Sequence, residues 1–223
     1  MPKVKLQTDN IKECLIVSHG KLVKSDLNYI LKFIKPRKAL FIIACDGASE
    51  FLKACNVTPD VIIGDLDSIK PAALKYFSRK NVVINKVYDQ NKNDLEKAII
   101  YALSKKFKNI NIIGFGGKRL DHTLNNLSIL KKFYRKADIR IFDNGFEGKI
   151  INRIAEIDCR IGDTVSLIPL PEAAGITTSG LKYPLKNGSL AIGIREGALN
   201  EAVAEKVVIK IRNGLLLVLA GLY

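Results

Sequence analysis

The sequence predicts an α/β protein in two parts: an N-terminal three-layer α/β/α domain with a mostly parallel sheet (residues 1–145) and a C-terminal all-β, sandwich-like domain (residues 146–223). Three observations lead there. From Glu13 to about Asp143 short apolar runs alternate with helix-period segments, the pattern of a parallel sheet covered by helices. After Asp143 the turn formers Asn144, Gly145 and Gly148 interrupt the chain, and strand-like runs punctuated by Gly and Pro replace the helical period. Finally, 223 residues with 48% hydrophobic and 26% charged side chains suffice for one large or two small domains with a real core, without metal or disulfide staples.

Taken in chain order, the first domain's strands are expected at Cys14–Ser18, Ala39–Cys45, Val61–Gly64, Val82–Val87, Ile110–Gly114 and Ile139–Phe142. Between them lie three helical stripes: Leu27, Ile30, Leu31 and Ile34; then Leu95, Ile99, Ala102, Leu103 and Phe107; then Leu120, Leu124, Leu127, Leu130 and Tyr134. Each stripe is read as core. The second domain's strands are expected at Lys149–Ile154, Thr164–Pro169, Leu190–Ile194, Lys206–Ile211 and Leu215–Leu219.

The formal net charge of +14 points to a polyanionic partner: nucleic acid, a phosphorylated small molecule or an anionic membrane surface. The basic residues are scattered, with short clusters only at Lys131-Lys132 and Lys35-Pro36-Arg37-Lys38, and no motif that reads RNA or DNA is present. A solvated, Lys-rich surface is the simpler reading, with a basic nucleic-acid-binding protein as its rival. Cys14, Cys45, Cys55 and Cys159 form no Cys-x-x-Cys pair and are read as reduced and structural. The first fifteen residues do not look like a signal peptide, and the longest apolar run, Leu215–Leu222, is too short to cross a bilayer. A cytoplasmic protein with no membrane partner is expected.

In doubly wound sheets ligands bind beyond the carboxyl ends of the strands, so the residues that follow each strand carry the most information. Four of these ends are acidic: Asp46 with Gly47, Gly64-Asp65-Leu66-Asp67-Ser68, Asp89 to Asp94, and Gly116-Gly117-Lys118-Arg119-Leu120-Asp121-His122. Carboxylates gathered at one edge repel one another unless a cation sits among them. Asp65 and Asp67, two residues apart in extended backbone, lie on one face at roughly 7 Å and can reach one hard cation such as Mg²⁺. Asn93 reads as a helix N-cap with Glu96 in the capping-box position, which puts Asp94 in the first turn. The Gly116-Gly117 turn with Lys118 and Arg119 offers backbone N–H groups and two cations to a phosphate. No P-loop and no acyl-transfer elbow is present, and His19 and His122 are read as local hydrogen-bonding residues.

With these residues in place the chain resembles the thiamine pyrophosphokinases over nearly its whole length. The resemblance is carried by Ala44-Cys45-Asp46-Gly47-Ala48, by Thr58-Pro59-Asp60 running through Gly64-Asp65-Leu66-Asp67-Ser68, and by Asp89 to Asp94 with Glu96-Lys97-Ala98. It continues in Arg119-Leu120-Asp121-His122-Thr123-Leu124 with Asn126, in Ser166 to Leu170, and in Gly180-Leu181-Lys182-Tyr183-Pro184-Leu185. It implies an α/β catalytic domain, a β-sandwich-like domain that helps bind thiamine, and a homodimer with active sites between subunits. The implied reaction moves the diphosphate of ATP to the hydroxyl of thiamine and releases AMP. By the same resemblance Asp65, Asp67 and Asp94 would hold Mg²⁺, and these three with Asp121 would be catalytic. Asp46, Gly47, Gln90, Lys118 and Arg119 would bind ATP, and Asn126 and Asn200 would bind thiamine. The proton acceptor stays open between Asp94 and Asp67 acting through water. Departures are Asn93 where the family usually has Thr, Ala48 and Lys118 where it usually has Gly, and Leu199 in place of Ser before Asn200; a related diphosphokinase acting on a hydroxymethylpterin is the alternative enzyme.

Overall fold

The computed structural model describes residues 13–34 and 39–222, so the N-terminal residues through Lys12 and the Lys35-Pro36-Arg37-Lys38 cluster lie outside the described residues. Contacts divide the chain into two units, with the boundary between Asp143 and Asn144.

In the first unit β1 (Glu13–Val17), β2 (Leu40–Cys45), β3 (Val61–Gly64), β4 (Val83–Lys86), β5 (Asn109–Ile113) and β6 (Asp138–Asp143) form a sheet in the order β4-β3-β2-β1-β5-β6. Every pairing along it is parallel. All six residues of β2 are buried, as expected of a central parallel strand covered on both faces. The helices are α1 (Lys24–Tyr29), which runs on into a π-helical turn at Ile30–Ile34, then α2 (Ala48–Ala54), α3 (Pro71–Ser78), α4 (Asp94–Ser104) and α5 (Leu120–Phe133). Among the described residues no helix is long and apolar enough to cross a membrane.

Two of these helices, α2 and α3, are absent from the sequence reading. Both are short, but α3 carries an explicit start signal, Pro71 at its first position, where the missing N–H costs nothing. The face of α5 also differs from expectation. Asn126, Ile129, Leu130 and Phe133 are buried, whereas Leu120 and Leu124 are 75% and 58% exposed. The true stripe follows i, i+3, i+4, i+7 from Asn126, whose polar side chain disguises it.

The second unit consists of β7 (Phe146–Ile151), β8 (Ile154–Asp158), β9 (Thr164–Ser179), β10 (Gly188–Ala191), β11 (Gly197–Glu201), β12 (Lys206–Lys210) and β13 (Asn213–Gly221). All its pairings are antiparallel. Strand β9 serves two sheets: it pairs with β13, β10 and β11 in one, and through Thr177–Ser179 with β12 in the other. Between them lies a core of Val165, Leu167, Leu216 and Val218 against Val207 and Ile209. Strand β9 does not stop at Pro169, as the sequence suggests, but continues ten residues further to Ser179. The expected strand Leu190–Ile194 is displaced: β10 ends at Ala191, and Ile192 and Ile194 stand 60% and 86% exposed in the following turn.

Leu199 occupies left-handed backbone (φ +60°) with its side chain 82% exposed, so it bears a steric cost with little burial in return. Its N–H donates to the Ser166 hydroxyl at 3.0 Å, an interaction of the backbone that any residue there retains. Leu199→Asn is expected to stabilise the protein by about 0.5–1 kcal/mol, read as a higher urea midpoint at unchanged m-value.

Candidate active site

The strand order reverses between β1 and β5: the chain moves from β1 outward through β2, β3 and β4, then returns to the other side of β1. Such a switch point parts the loops at the carboxyl edge and leaves a crevice there. A cavity of about 290 Å³ is found there, bordered by Ser18 and His19 after β1, by Phe115, Lys118 and Arg119 after β5, and by Asp94 at the start of α4.

Beside it three carboxylates converge. Asp46, Asp65 and Asp94 each place an oxygen within 4.8 Å of the other two, a spacing suited to one shared cation. Asp46 follows β2 with φ +33°, and its N–H donates to the Ile63 carbonyl at 2.9 Å, which pins it to the end of β3. Gly64 is the tight point of the arrangement. With φ +155°, a Cβ there would lie 2.9 Å from the Asp46 Cβ and 3.2 Å from the Asp94 carboxylate, so only glycine lets the three aspartates close up.

The carboxylates are not equivalent. Burial pushes Asp46 up to about 6, opposed by the Ser68 N–H that donates to its Oδ2 at 3.0 Å. Its Oδ1 is buried and, among the described residues, has no hydrogen-bond partner. An orphaned, crowded carboxylate oxygen of this kind fits a hard cation, and so does the all-oxygen donor set. Burial also raises Asp94, countered by Lys97, a lysine with a side chain only 5% exposed whose ammonium donates to Asp94 Oδ1 at 3.1 Å. Asp67 is outside the converging three. It is exposed, and the Ser68 hydroxyl, donating at 2.9 Å, holds it below the usual carboxylate range.

The remaining sequence-predicted residues divide between the cleft and elsewhere. Lys118 and Arg119 line it, and Arg119 is held by Asp121 through two hydrogen bonds of 3.1 and 2.6 Å. Asp121 thus sits on the outer side of Arg119, exposed, with its carboxyl lowered chiefly by that guanidinium. The Gly116 N–H, expected to be free for a phosphate, is already taken by Asp143 Oδ2 at 2.8 Å. Gly47 lies under His19, where a Cβ would meet the imidazole at 2.9 Å. Gln90 is exposed in the turn before α4 and does not border the cavity. Asn126 borders it, but both ends of its amide are engaged with protein. Asn200, in the second unit, clamps the backbone of Tyr183: its Oδ1 accepts from the Tyr183 N–H at 3.1 Å and its Nδ2 donates to the Tyr183 carbonyl at 2.8 Å. Asn93 caps α4 as expected, accepting from the Glu96 N–H at 2.9 Å, but Glu96 turns away from the capping box to Lys132, 2.5 Å from its ammonium.

Two features of the site go beyond what the sequence reading assigned. One is Lys97, whose signal is its position three residues after Asp94 on the same helix face. The other is His19, which borders the cavity and is lowered by partial burial and then by the Lys118 ammonium.

The chain is similar to known proteins over both of its units. Residues 35–142 match the thiamin pyrophosphokinase catalytic domain and residues 150–216 the thiamin pyrophosphokinase vitamin B1 binding domain. The chain is 29% identical over 194 residues to thiamin pyrophosphokinase 1 of Caenorhabditis elegans, spanning 80% of this chain and 78% of that one. It is 31% identical over 173 residues to thiamine pyrophosphokinase 1 of Arabidopsis thaliana, spanning 71% of this chain and 64%, just under two thirds, of the plant protein. The fold is similar to the crystal structure of thiamine pyrophosphokinase from Bacillus subtilis, with a TM-score of 0.82, 23% identity, and coverage of 94% of this chain and 99% of that one.

Proposed function

Because the chain belongs to the thiamine pyrophosphokinase family, with both of that family's domains matched, we propose that it transfers the terminal diphosphate of ATP to the hydroxyethyl oxygen of thiamine, giving AMP and thiamine diphosphate. In this reaction the alcohol oxygen bonds to the β-phosphorus and gives up its proton to water, and the bond from that phosphorus to the bridging oxygen of AMP breaks on the opposite side. Such transfers depend on positioning and on neutralising charge spread over phosphoryl oxygens.

The observation that carries the reading is the meeting, at one crevice, of a carboxylate cluster (Asp46, Asp65 and Asp94) with a cationic lip (Lys118 and Arg119). The carboxylates would hold Mg²⁺, with Asp67 alongside. Bound there, the ion would shield the phosphate charge and orient the diphosphate. Lys118 and Arg119 would neutralise the rest of the triphosphate, and Asp121 would keep Arg119 extended toward it. The C-terminal unit would contribute to thiamine binding through the segment that Asn200 holds at Tyr183. A homodimer with active sites between subunits and a cytoplasmic location belong to the same reading. Nothing in the comparisons favours a pterin diphosphokinase or a nucleic-acid-binding protein.

Incubation with ATP, Mg²⁺ and thiamine is expected to yield AMP and thiamine diphosphate in equal amounts, followed by nucleotide chromatography and by thiochrome fluorescence. A hydroxymethylpterin in place of thiamine should give no AMP above background. Release of ADP, or a pterin turned over faster than thiamine, would sink the assignment.

A further inference from the structure

Asn93 and Asn126 are joined in a directional chain of hydrogen bonds. The Glu96 N–H donates to Asn93 Oδ1 at 2.9 Å, Asn93 Nδ2 donates to Asn126 Oδ1 at 2.9 Å, and Asn126 Nδ2 donates to the Phe115 carbonyl at 2.7 Å. The two ends fix both amides, since a peptide N–H can only donate and a carbonyl can only accept. Asn126 is 6% exposed, and Phe115 likewise, so these bonds are made largely away from solvent and breaking one leaves a poorly hydrated polar group.

The position of this chain gives it a functional consequence. Asn93 directly precedes Asp94, the carboxylate that also borders the cleft, and Phe115 lies in the loop that leads to Lys118 and Arg119. These two halves of the site are contributed by different strand-to-helix connections and are far apart in sequence. An ordinary helix cap needs only an acceptor, which Ser or Thr supplies as well. The NH₂ of Asn93 is surplus to capping, and here it makes the link to Asn126.

We propose that Asn93 and Asn126 are positioning residues: a clasp that holds the Asp94 end of α4 at a set distance from the Lys118–Arg119 turn. What that distance serves rests on the proposed diphosphate transfer; the clasp itself is a property of the unliganded chain. It also gives Asn126 a part other than the direct thiamine contact implied by resemblance, since protein already holds one donor and one acceptor site of its amide.

Asn93→Asp keeps the cap acceptor but offers no donor to Asn126 Oδ1, and Asn126→Ala removes the link from the other side. In each variant hydrogen exchange of the full-length protein without ligands is expected to accelerate at both residues 93–97 and residues 115–119, while the central strands keep their protection. Turnover is expected to fall about tenfold in kcat with the KM for thiamine within about twofold, since a small misplacement of catalytic groups acts on the reacting geometry. The double variant should be no worse than either single one, the signature of one shared interaction. A raised KM for thiamine at unchanged kcat in Asn126→Ala would overturn the clasp in favour of a substrate contact, and so would faster exchange confined to the mutated residue's own segment. Failure of the wild-type protein to form thiamine diphosphate would instead remove the proposed reaction, with the exchange experiment still deciding the clasp.

Discussion

Asp65→Ala and Asp94→Ala are each expected to lower kcat/KM for thiamine diphosphate formation by about 10³-fold while the far-ultraviolet circular dichroism stays native. Both side chains belong to the converging three, and neither is part of the hydrophobic core. Removing one would take an oxygen from the proposed cation site and leave the other two without the geometry to hold a cation against phosphate. Asp67→Ala is expected to be milder, about 10²-fold, because Asp67 lies outside the three and adds negative charge from an exposed position beside them. An Asp67 variant more damaged than Asp65 and Asp94 would show that the cation is held further out, by the Asp65–Asp67 pair expected from sequence.

Asp46→Asn should separate activity from stability in opposite directions. Activity is expected to fall by at least about 10²-fold, since the buried Oδ1, without a hydrogen-bond partner among the described residues, would be the oxygen of the cluster best placed to face the proposed cation. Stability without divalent ions is expected to rise. The folded-state pKa of Asp46, about 6, lies above the ordinary aspartate value of 3.8, so the native protein keeps a proton that the unfolded chain releases earlier. Between these two values the folded state binds more protons, and stability falls as pH rises through that window. Above about pH 6 the full cost is present, at most about 3 kcal/mol and reduced where water in the cleft screens it. An uncharged amide removes this cost. In EDTA, thermal melts should therefore show the Asp46→Asn variant gaining on wild type as pH rises from about 4 to about 7, with the difference shrinking when Mg²⁺ is added. A variant less stable than wild type at neutral pH in EDTA would mean that the carboxylate is already neutralised within the protein.

What the sequence could show depended on how local each signal was. The strands of the first unit were legible because they are short, apolar-rich runs, five of the six flanked on at least one side by Asp or Asn. Asn93 was legible as a cap because its type and its place before an apolar stripe agree. That Asp46, and not Asp67, joins Asp65 and Asp94 was not, because it depends on β2 lying beside β3 and on Gly64 permitting a close approach. The same limit explains Asn126, a polar residue on a buried helix face, where periodicity looks for an aliphatic one. In the second unit the expected strand ended at Pro169, yet β9 runs on through Pro171, where its register against β13 shifts between Gly214 and Leu216.

That double membership of β9 has a bearing on how the second unit comes apart. A strand that belongs to one sheet can be lost with its sheet, leaving the other intact. Here loss of β9 would strip the partner from β13 and from β12 at once, and empty the core between Leu167 and Val207. The two sheets are therefore expected to open together, with the amides of β12 and β13 sharing one opening free energy in hydrogen exchange.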